Sequence, residues 1–103
     1  MKKIEIVAPM EIHNLAKEKG WWDAPRQLPE LLCLIHSEIS EALEAHRNNI
    51  PEGEPGCLSE ELADVVIRVW DLCSRMNIDI ADAVERKHKY NMTRPYRHGG
   101  KTC

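Results

Sequence analysis

A chain of 103 residues fits one domain and can bury only a modest core. Hydrophobic residues are 43% and charged residues 30%, which excludes a disordered chain; a net charge of −3 argues against a general polyanion-binding surface. The N-terminal MKKIEIVAPM is too short and polar for a signal peptide, and no apolar run approaches a membrane span. Cys33, Cys57, Cys73 and Cys103 include no C-x-x-C pair, so a zinc site is not expected. Cys33 and Cys73 lie in apolar runs and read as buried thiols. A reduced, cytoplasmic protein with no membrane partner is the expectation.

In chain order, residues 4–7 alternate weakly and allow a brief extended stretch. Pro9 suits an early helical position, and Met10, Ile12, Leu15 and Ala16 predict a short first helix closed by Gly20. Residues 21–29, with two tryptophans and two prolines, predict an ordered loop. A second helix is predicted from about Pro29 to Arg47, with Leu31, Leu32, Ile35, Ile39, Ala42 and Leu43 on one face. Pro51, Gly53, Pro55 and Gly56 mark the next loop.

Ser59 is the expected N-cap of a third helix, which should end near Asn77. Its run Val65-Val66-Ile67 is β-branched, but the surrounding period favours helix. Asp79 is positioned to cap a fourth helix running to about Asn91, and Pro95 stops it. The tail from about residue 96 carries Gly99 and Gly100 and is expected to be flexible. The fold class is therefore all-α, a compact bundle of about four helices. Val66, Ile67 and Trp70 fall off the main stripe of the third helix and call for a partner surface, so completion by self-association is expected.

The second and third helices share a carboxylate pattern. Glu38 and Glu41, like Glu61 and Asp64, are three residues apart and therefore one turn apart on one side of a helix. Both pairs lie beside the apolar stripe, where carboxylates are costly without compensation. Two such helices packed by their stripes would bring four like charges together, and a hard divalent cation such as Mg²⁺ would relieve the repulsion. Exposed helices also carry such pairs commonly, so the motif alone is weak. A bundle-type iron or manganese centre is disfavoured, because neither Glu41 nor Asp64 has a histidine three residues away.

In order and spacing, Glu38-x-x-Glu41 and Glu61-x-x-Asp64 resemble the MazG-like all-α nucleoside triphosphate pyrophosphohydrolases. Gly20-Trp21-Trp22 leading through Pro29-Glu30-Leu31-Leu32 strengthens the resemblance, as do Lys87-x-x-x-Asn91-x-x-Arg94-Pro95 and His98-Gly99-Gly100-Lys101. The resemblance implies hydrolysis of a nucleoside triphosphate to the monophosphate and pyrophosphate. It implies Mg²⁺, with Mn²⁺ as a possible substitute, held by Glu38, Glu41, Glu61 and Asp64. Lys87, Asn91 and Arg94 would handle phosphates, and Trp21 or Trp22 would stack on the base or else act as a core lid. A homodimer or homotetramer is also implied.

Many family members carry a further glutamate where this chain has Ser37, which leaves the number of metal ions open. A catalytically silent helical module that binds a nucleotide or a protein is the alternative. Nucleic acid is not an expected partner, given the acidic centre and the lack of a reader motif. His13 is expected to be exposed, although it would near the base if the first helix covered the site.

Overall fold

The computed structural model describes residues 8–96. The proposed extended stretch at residues 4–7 and the tail residues 97–103, with His98 and Lys101, lie outside them. Four helices follow one another: α1 (Pro9–Glu18), α2 (Leu28–Arg47), α3 (Leu58–Arg75) and α4 (Ile80–Met92). The described residues form no strand, and Val65-Val66-Ile67 is helical. The all-α fold agrees with the sequence reading. No helix among the described residues is long and apolar enough to cross a membrane.

Three helices end in the same way. At α1, Gly20 takes φ +87° and donates its N–H to Lys17 O, while Trp21 N–H reaches Ala16 O. Asn49 and Asn77 repeat this geometry after α2 and α3, at φ 52° and 56°. There Ile50 N–H reaches Ala45 O, and Ile78 N–H reaches Cys73 O. Each closure satisfies carbonyls that a helix end leaves open and turns the chain sharply. The first delivers Trp21 and Trp22 onto the flank of α3.

α3 is the central element, with α2 packed on one part of its surface and α1 on another. The buried apolar side chains are Leu31, Ala42, Ala45, Cys57, Leu72 and Cys73. Small residues at 42 and 45 let α2 approach closely. α4 differs from the other three because none of its residues is buried. Asp79 caps it by accepting from Asp82 N–H at 3.0 Å, as the sequence predicts.

Three expectations require correction. Cys33 is exposed, because it lies on a side of α2 that no other helix covers. The N-cap of α3 is Cys57 rather than Ser59, whose hydroxyl donates to Glu52 across the loop. α3 ends at Arg75, near Asn77 as expected, and Asn77 adopts the left-handed conformation that reverses the chain. His13 is buried at 5% exposure, since it has a carboxylate partner on α3.

Candidate metal centre

The antiparallel approach of α2 and α3 brings their carboxylates together. Glu38 on α2 and Glu61 and Asp64 on α3 each place one carboxylate oxygen within 4.8 Å of the others. Glu38 and Glu61 are partly buried, whereas Asp64 is exposed. Glu41 falls outside this closest group. It lies beside Glu38 and shares with Glu61 a cavity of about 310 Å³ at the loop containing Gly56. Glu60 takes no part, because its carboxylate accepts from Gly56 N–H at 3.2 Å and ties down the loop.

Within the group, Glu38 sits in an environment that disfavours its charge. Burial, reinforced by the neighbouring Glu41 carboxyl, raises the Glu38 carboxyl above the ordinary carboxylate range. The Arg68 guanidinium opposes this, with Nε 3.5 Å from Glu38 Oε1. The donor set is all oxygen, as Mg²⁺ requires, and trans oxygens around that ion stand roughly 4 Å apart. Small side-chain adjustments within 4.8 Å reach that span, so these residues fit a hard divalent cation.

Arg68 is the site residue that sequence reasoning missed. It follows Asp64 by four residues and Glu61 by seven, so the helical period places it on their face. Its guanidinium carbon lies 3.7 Å from the centre of the Trp21 ring. Arg26 lies over the same ring at 4.3 Å, and its Nε donates to Trp21 O at 2.9 Å. Trp21 is therefore a platform for two guanidinium groups, and a stacked base would have to displace one of them.

Trp22 is held differently. Its indole N–H donates to both oxygens of buried Asp71, at 3.0 and 3.1 Å. His13 Nδ1 lies 2.6 Å from Asp71 Oδ1, and since a carboxylate only accepts, that nitrogen carries the hydrogen. The His13 and Trp22 rings meet edge to face at 5.8 Å. This network pins α1 and the loop to α3. A buried carboxylate with three hydrogen bonds is satisfied without a metal. Its sequence signal is faint, because the partners lie 58 and 49 residues apart.

Lys87 and Asn91 lie exposed near the end of α4, whereas half-exposed Arg94 falls two residues past its last residue, Met92, so helical spacing does not align it with them. Lys87 Nζ lies 4.7 Å from the Tyr90 ring centre and Arg94 Cζ 5.9 Å from it. The main helix packings are α2 on α3 and α1 on α3, and they do not bring these residues against the carboxylates. No protein-family model, curated protein or solved structure matches this chain.

Proposed function

We propose that the chain hydrolyses a nucleoside triphosphate to the monophosphate and pyrophosphate, with Mg²⁺ as cofactor and Mn²⁺ as a substitute. The observation that carries this reading is the approach of Glu38, Glu61 and Asp64 within 4.8 Å, from two helices with matched carboxylate spacing. These three, with Glu41 beside them, would hold the ion. When bound, Mg²⁺ neutralises phosphate charge and makes its water more acidic.

The chain itself supplies orientation and charge. Glu38 is fixed between burial and Arg68. Glu41 borders the cavity next to Glu61 and would accept a proton from an attacking water there. Lys87, Asn91 and Arg94 are the proposed phosphate contacts, the first two one turn apart on α4 and Arg94 just past its end. Self-association into a homodimer or homotetramer would give these residues a partner surface, because α4 buries nothing within its own chain.

The test is pyrophosphate release from a panel of canonical and modified nucleotides, with and without Mg²⁺. Asp64→Asn and Glu41→Gln should each lower turnover by at least about a hundredfold, with the helical circular dichroism unchanged. Nucleotide binding without pyrophosphate in the parent protein would instead identify a silent binding module.

A further inference from the structure

A second cavity, of about 410 Å³, opens between the α1–α2 loop and the middle of α3. Its lining includes Lys19, Trp21, Arg26 and Arg68, with Leu15 and Ile67 as apolar wall, and contains no acidic residue. In a chain of net charge −3, three cations share this lining, two of them over one ring, while Glu30, Glu38 and Asp23 stand just outside it. We propose that this cavity binds the polyphosphate of a nucleotide, on the flank of the carboxylate centre and apart from Lys87, Asn91 and Arg94.

The two guanidinium groups are positioned in advance. Each lies over Trp21, at 4.3 Å for Arg26 and 3.7 Å for Arg68. Contact with the ring holds both groups in place while leaving most of their N–H donors unused. A guanidinium carries five donors. Arg26 commits Nε to Trp21 O and approaches Glu30 with one terminal nitrogen at 3.6 Å. Arg68 meets Glu38 through Nε alone. Such planar forks suit phosphate oxygens, and they lose little freedom on binding because they are already held. Lys19 is exposed and forms no ion pair among the described residues. The nearby C-terminal end of α1 opposes an anion, but Gly20 and Trp21 N–H groups already occupy its carbonyls. The residual dipole is weak against three full charges.

Arg68 belongs to both sites. It is the only cation contacting Glu38 among the described residues, and it also lines the anion cavity. On the proposed metal-binding role of Glu38, a divalent cation replaces Arg68 as its counter-charge and releases the guanidinium toward phosphate. Metal and anion therefore strengthen each other's binding by the same factor.

The test is isothermal titration of the full chain with inorganic triphosphate in EDTA. It is run on the parent, Arg68→Gln, Lys19→Glu and a Lys89→Ala control. Lys19→Glu lies at an exposed position and keeps the test valid if Arg68→Gln fails to fold. Arg68→Gln and Lys19→Glu should each weaken binding at least about tenfold, and Lys89→Ala should leave it unchanged. A parent that does not bind triphosphate, or variants that bind as the parent does, overturn the site. Tighter binding of a nucleoside triphosphate than of the inorganic ion supports a nucleotide ligand; the reverse order overturns it.

Pyrophosphate release separates this inference from the proposed reaction. Mg²⁺-dependent turnover with unchanged KM in both variants removes the anion site and leaves the reaction standing. Binding that depends on Arg68 and Lys19, in a parent that releases no pyrophosphate, supports the site and removes the reaction.

Discussion

Glu38 carries two opposing influences, and their balance predicts how the metal-free protein responds to pH. Burial and Glu41 together outweigh Arg68, so its carboxyl titrates above the unfolded value. A group of this kind favours folding below its unfolded pKa, and that contribution is lost as pH rises through the raised folded value. At neutral pH, metal-free Glu38 is therefore a liability. Glu38→Gln should raise the Tm of the metal-free protein at pH 7 by a few degrees and, on the proposed metal-binding role, abolish the stabilisation expected from Mg²⁺. A thermal scan in EDTA and in Mg²⁺ measures both effects. A variant less stable than the parent without metal would show that the Arg68 ion pair dominates.

The helix ends make a prediction at the scale of elements. Asn77 sits at φ 56°, where a β-branched side chain is strongly disfavoured. Asn77→Val should cost about 1–2 kcal/mol in urea unfolding. Asn77→Gly should match the parent within about 0.5 kcal/mol. Equal stability of the two variants would remove the closure from the account.

Such local devices are the part of the fold most readable in the sequence. Gly20, Asp79 and the apolar periods announce helix ends and helix class through neighbours a few residues away. Cys33 and Ser59 show where local reading fails. Cys33 has an apolar neighbourhood in sequence but no covering helix in space. Ser59 has the chemistry of a cap but hydrogen-bonds Glu52 instead. Of the candidate centre, matched spacing foretells that α2 and α3 carry carboxylates on facing sides. Arg68 and the His13–Asp71–Trp22 network depend on partners 30 to 58 residues away, which no periodicity announces.

At the scale of the molecule, the apolar surface is extensive for so short a chain. Ile39, Leu43 and Leu62 are about half exposed at 52%, 48% and 49%, and Val66 and Ile67 are 41% and 39% exposed. With α4, which buries none of its residues, they leave several large apolar side chains of three helices without cover within the chain. We expect a homodimer or homotetramer. Light scattering at micromolar concentration should give a multiple of the 11.9 kDa chain mass. Val66→Glu should shift that mass toward one chain. A parent of single-chain mass would count decisively against self-association.

The buried carboxylate of Asp71 also bears on the order in which the chain assembles. α2 and α3 are neighbours in sequence, separated only by residues 48–57, and can close on each other early. α1, the first helix in the chain, is held by α3 across a sequence separation of 58, so closing that contact carries a large entropy cost. It should dock after the folding barrier has been crossed. In stopped-flow chevrons, His13→Ala should then speed unfolding several-fold while the refolding arm barely moves. Slowed refolding would place α1 in the nucleus. If α1 does dock late, the loop bearing Trp21 and Trp22 is the last segment to settle, and the cationic platform exists only once the final helix is in place.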